Sequence, residues 1–94
     1  MGMDLHSVAS TIGEPLWIPY NWNGWRWLIE HLQKWGVDTK QFSFSNDGEL
    51  ISDEVCKAVA SALSAHIDEL DDEHRSWIEP HIVAWRSSGG FRQW

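Results

Sequence analysis

Residues 24–36 read Gly24-Trp25-Arg26-Trp27-Leu28-Ile29-Glu30-His31-Leu32-Gln33-Lys34-Trp35-Gly36, and their spacing decides the fold class. Trp25, Leu28, Ile29, Leu32 and Trp35 recur at i, i+3, i+4 and i+7, the apolar stripe of a helix with one face on a core. Asn23 stands where a capping side chain would accept the first free N–H groups, and Gly36 supplies the left-handed residue that ends a helix. These signals predict a helix from about Gly24 to Trp35. Trp27 lies about 200° round that helix from Trp25. The two rings cannot face the same core, so one of them looks outward or toward the segment before the helix.

Toward the C-terminus, Phe42 and Phe44 alternate with Gln41 and Ser43. Asn46-Asp47-Gly48 then makes a turn before Leu50 and Ile51, a pattern that predicts a short hairpin. Ser52 caps a long helix with Asp53 and Glu54 at the positive end of its dipole, and its stripe runs Val55, Cys56, Val59, Leu63, Ile67 and Leu70. A third helical stretch, Glu73 to Ser88, carries Trp77, Ile78, Ile82 and Trp85 and stops at Gly89-Gly90. Pro80 inside it either kinks one helix or starts a second. The closing Phe91-Arg92-Gln93-Trp94 is too bulky for a frayed end and is expected to dock back on the domain.

Toward the N-terminus, Leu5, Val8, Ala9 and Ile12 have helical spacing, and Gly13-Glu14-Pro15 stops them, so a short helix is expected there. Pro15 to Gly24 has the composition of an ordered irregular loop held by its own rings. The expected architecture is mainly α: a small single domain over residues 1–94, with three principal helices, a short β-hairpin and an irregular aromatic N-terminal arm. Neither an internal repeat nor a linker divides the chain.

Composition narrows the function classes. With 43% hydrophobic and 22% charged residues, the chain has the make-up of a folded soluble domain. Its formal net charge of −7, from 14 carboxylates against seven Lys and Arg, argues against direct nucleic-acid binding and suits a basic protein partner. The same acidity also serves plain solubility. A single cysteine, Cys56, gives no disulfide framework. Residues 1–12 lack a signal-peptide pattern, no apolar run reaches the roughly 20 residues of a membrane span, and His6 breaks the myristoylation motif at Gly2. A cytoplasmic protein without membrane attachment is expected.

Three short motifs carry a resemblance. Trp25-Arg26-Trp27-Leu28, the turn Asn46-Asp47-Gly48 followed by Leu50-Ile51-Ser52, and Ser88-Gly89-Gly90-Phe91 together resemble a loose set of small bacterial and phage-borne proteins without an assigned activity. The likeness spans Trp25 to Phe91. It implies a compact, mainly helical single domain and transfers no residue role.

Catalytic chemistry finds little support in the pattern. His6, His31, His66, His74 and His81 are raw material for a metal site, but no HExxH or paired-cysteine spacing exists, so neither a metal nor another cofactor is expected. His66 and His74 flank the acidic run from Asp68 to Glu73, a setting that favours their charged forms or simply marks a solvated helix junction. Cys56 falls on an apolar stripe, where an inert buried thiol is the default. No nucleophile elbow or phosphate cradle is present, so no catalytic residue is assigned.

The eight tryptophans weigh most. Each brings about 150–250 Å² of buriable surface, more in total than one small core readily takes. Trp17, Tyr20, Trp22, Arg26 and Trp27, with Asn21 and Asn23 beside them, are the candidate binding residues. They would form an aromatic platform edged with polar donors, suited to a peptide, a sugar ring or a cation. The same rings could instead clasp the N-terminal segment onto the helices, and the two roles are compatible. The favoured function is a non-enzymatic protein-interaction module, a small inhibitor or modulator of bacterial or phage origin, with a homodimer also open to it. A small-ligand binder using the Trp-rich loop is the alternative, and a metal-dependent or other hydrolase comes third.

Overall fold

A computed structural model describes residues 2–94. The order of elements is β1 (Gly2–Ser7), β2 (Trp17–Asn21), α1 (Trp22–Lys34), β3 (Glu49–Ile51), α2 (Asp53–His66), a 3-10 turn (Ile67–Glu69), α3 (Asp72–Ser87) and β4 (Phe91–Gln93). The strands form one antiparallel sheet in the order β2-β1-β4-β3. Helix accounts for 49% of the chain and strand for 18%, so the expected three helices are present but the sheet is far more than a hairpin.

The helices follow their caps. The Asn21 side chain accepts from the Gly24 N–H at 2.6 Å, so α1 starts two residues earlier than a cap at Asn23 implies. At its end, Gly36 has φ 84°. The Gly36 N–H reaches the Gln33 carbonyl and the Val37 N–H reaches the Leu32 carbonyl, the paired bonds of a Schellman stop. Ser52 caps α2 through the Val55 N–H, and Asp71 caps α3 through the His74 N–H. Pro80 lies inside one continuous α3. Its missing N–H frees the Ser76 carbonyl, and both residues are exposed, where water can serve that carbonyl.

Three expectations need correction. The segment from Leu5 to Ile12 is not a short helix: Gly2–Ser7 is a strand, with Met3 and Leu5 buried, whereas Val8 and Ile12 are 50% and 47% exposed. Period-2 burial won because β1 finds ladder partners on both sides, β2 and β4. The N-terminal arm is likewise not irregular at Trp17–Asn21, which forms the edge strand β2 with Ile18 and Tyr20 turned inward. Pro19 is tolerated there because an edge strand can leave one side unpaired.

The third correction concerns Phe42 and Phe44, which form no strand; they sit in the α1–β3 connection. Phe42 stacks on Trp25 and Trp85 at 5.3 and 6.0 Å. The true partner of β3 is β4, with Leu50 opposite Arg92 and Ile51 opposite Phe91. The C-terminal segment does dock back, and it does so as an interior strand between β1 and β3.

The core lies between the inner sheet face and the helices, where Met3, Leu5, Trp25, Leu28, Leu32, Ile51, Leu63, Ile78, Trp85 and Phe91 are fully buried. Gln93 is buried among them. Its Oε1 accepts from the Ser43 N–H at 2.8 Å, and its Nε2 donates to the Gln41 carbonyl at 2.7 Å. The Trp25 indole N–H donates to the Ser43 carbonyl at 2.8 Å. Two buried side chains thus fix a connection that has no ladder of its own.

A candidate aromatic groove

The start of α1, the end of β2 and the first turns of α3 meet around a groove of about 480 Å³. Trp27 and Trp77 form its walls, with ring centroids 5.3 Å apart at 58°. Tyr20 closes the base, edge-on to Trp77 at 6.0 Å. Gly24 lets the cap approach closely: a Cβ there would come within 3.1 Å of the Asn21 oxygen, and only into ordinary contact, 3.7 Å, with Trp77. Asn23 and Glu73 stand exposed on the rim.

The Trp27 wall is held by stacked histidines, one of which, His74, also lines the groove. The His74 ring lies almost parallel to Trp27, 4.7 Å away at 11°, and its Nδ1 shares a 2.6 Å hydrogen bond with Asp71. Asp71 also accepts the His74 backbone N–H at 2.9 Å. That backbone bond, then the imidazole bond, holds the Asp71 carboxyl below its ordinary pKa. The arrangement repeats one end away: His66 stacks on Trp35 at 4.6 Å and 1°, and its Nδ1 meets Glu69 at 2.6 Å. Between them His31 stacks on Trp27 at 4.0 Å and its Nδ1 donates to the Trp27 carbonyl. Trp27, His31 and Trp35 fall at i, i+4 and i+8 on α1, one face of the helix. That face packs onto two histidines that are themselves eight residues apart.

At the base, Tyr20 and His81 enter the buried layer. The Tyr20 hydroxyl bonds His81 Nδ1 at 3.0 Å and accepts from the Trp85 indole N–H at 3.2 Å. Burial pushes the Tyr20 phenol well above its ordinary pKa, offset in part by the Trp85 bond. Burial also lowers His81.

The five candidate binding residues do not share one platform. Tyr20 and Trp27 line the groove, although Tyr20 is 4% exposed and offers only ring surface. Trp17 is 60% exposed on the opposite face of the sheet, stacked on His6 at 6.5 Å with its indole N–H on Asp4. Trp22 is half-buried against Phe44 at 6.0 Å, and the exposed Arg26 guanidinium lies 5.9 Å over the same ring. Strand alternation explains the split, since Trp17 and Tyr20 have opposite parity along β2. Trp77, His74 and Glu73 were missed. The signal for them lay across two helices rather than within one segment.

Among the described residues no three His, Cys, Asp or Glu side chains come together as a metal set. Cys56 is fully buried, its thiol directed to the Ile51 carbonyl, and burial pushes its pKa up to about 11. No helix among the described residues is long and apolar enough to cross a membrane. Comparison of the chain with protein-family profiles, with curated proteins and with solved structures returns no match.

Proposed function

We propose that the protein is a non-enzymatic interaction module that seats a basic side chain of a partner protein in the groove between α1 and α3. The observation that carries this reading is the pairing of two indole walls, Trp27 and Trp77, with the Glu73 carboxylate on the rim. A guanidinium or ammonium placed over an indole face is attracted by the ring quadrupole. Glu73 makes no ion pair among the described residues, so it can meet that charge. The acidic run Asp68, Glu69, Asp71 and Asp72 continues beside it on the same junction, and the net charge of −7 draws a basic segment in over distance.

Isothermal titration with short arginine- and lysine-containing peptides tests the reading. Binding should weaken steeply with added salt, and Glu73→Gln should weaken it without altering the melting temperature. Equal heats from an acidic control peptide would overturn it. A second ligand class also has support, since the exposed Asn23 lines the same groove as the Trp77 ring, and an amide with an indole face matches what a sugar ring needs. Saccharide titrations in the same format distinguish the two.

A further inference from the structure

We propose that the open face of the sheet is a self-association surface, and that its occupant is a second copy of this chain packed face to face about a two-fold axis. The sheet buries one face on the helices, and among the described residues the outward side chains His6, Trp17, Pro19, Leu50 and Arg92 stay exposed on the other. Across that outer face runs a cross-strand row, Leu50–Arg92–His6–Trp17, fixed by the register of all four strands. Trp17 is 60% exposed, Trp94 52% and Leu50 42%, an apolar load that single scattered residues do not explain. Trp17 is also preorganised by its stack on His6 and its 3.2 Å bond to Asp4.

Charge selects the occupant. With 14 carboxylates against seven Lys and Arg, most of this surface repels another copy. Among the described outward-facing strand residues, the permanent charges are one acid, Asp4, and one guanidinium, Arg92. They sit on adjacent strands two residues out of step, because Arg92 pairs with His6. A two-fold axis lying between stacked sheets and crossing midway between them places Asp4 against Arg92 of the partner subunit, twice. By strand spacing the same axis passes close to Trp17 and Trp94, so each indole meets its own symmetry mate across the roughly 10 Å gap between packed sheets. Arg92 donates one N–H to the Gly48 carbonyl at 3.2 Å, which holds the guanidinium on this face and leaves its other donors free. A face only about 15–20 Å on a side belongs to the small, transient class of interfaces.

Sedimentation equilibrium from about 10 µM to about 1 mM, at low salt, tests the proposal. The chain should pass from monomer to dimer across that range. Asp4→Arg and Arg92→Asp should each raise the dissociation constant about tenfold or more, and the double exchange should restore it. Trp17→Ser should abolish the dimer. Far-UV circular dichroism on each variant separates lost association from lost folding. A monomer at every concentration, a dimer indifferent to these changes, or folded single variants whose defect the double exchange does not reverse would each overturn the proposal.

Discussion

The indole N–H of Trp85 donates to the phenolic oxygen of Tyr20 at 3.2 Å, and the same oxygen bonds His81 Nδ1. An indole nitrogen can only donate. The Tyr20 oxygen therefore accepts from Trp85, and in the neutral His81 tautomer protonated on Nε2, the charge state that burial favours, its own hydrogen is donated to His81 Nδ1 at 3.0 Å. The aromatic base of the groove is thus a hydrogen-bonded chain that links β2 to α3.

Stability should depend on His81 in a stated direction. Burial lowers its folded pKa, so the unfolded chain takes up a proton first as the solution is acidified. The His81 contribution is fully present above the unfolded value of about 6.5 and is lost as pH falls from there toward the lowered folded value. Urea unfolding between pH 8 and pH 5 should show the wild type losing stability relative to His81→Gln below about pH 6.5. Parallel curves for the two proteins would contradict a buried His81 with a lowered pKa.

Tyr20→Phe keeps the ring and removes the hydroxyl. It leaves the buried Trp85 N–H without an acceptor, and a cost of about 1–3 kcal/mol is expected by chemical denaturation. A change under about 0.5 kcal/mol would mean that water replaces the hydroxyl.

Trp25→Ala should cost about 3–5 kcal/mol, because it opens a cavity in the core and frees the Ser43 carbonyl. Gln93→Leu should cost about 1–3 kcal/mol by orphaning the Ser43 N–H and the Gln41 carbonyl. Its amide-exchange signature should be local, with protection falling first in residues 41–45, the stretch that Gln93 holds.

The thiol of Cys56, fully buried with its pKa pushed up to about 11, should resist alkylation at pH 8. A disulfide reagent should label it only as fast as the domain opens, and at once in denaturant. Immediate labelling of the folded protein would place Cys56 at the surface.

The helices were legible because their signals are local: the stripe from Trp25 to Trp35 with its Gly36 stop, Ser52 with Asp53 and Glu54, and the Gly89-Gly90 end. The sheet was not. Met3 and Leu5 become a strand only through partners elsewhere in the chain, residues 17–21 of β2 and 91–93 of β4, and Pro19 hid an edge strand whose Ile18 and Tyr20 alternation was in plain view. The groove was half legible. Trp27 stood out by its angle from Trp25, but Trp77 and His74 join it only once α3 packs across α1, a relation that no single-segment periodicity contains.

The central claim is that Trp27 and Trp77 form the recognition surface, and the chain carries its own reporters. Eight tryptophans give eight indole N–H resonances in a nitrogen-15 correlation spectrum, and single Trp→Phe variants assign them. Titration with an arginine-containing peptide should shift the Trp27 and Trp77 signals first and leave those of Trp17 and Trp94, on the far face of the sheet, in place. Shifts confined to Trp17 and Trp94, or none at all at millimolar peptide, would contradict the account.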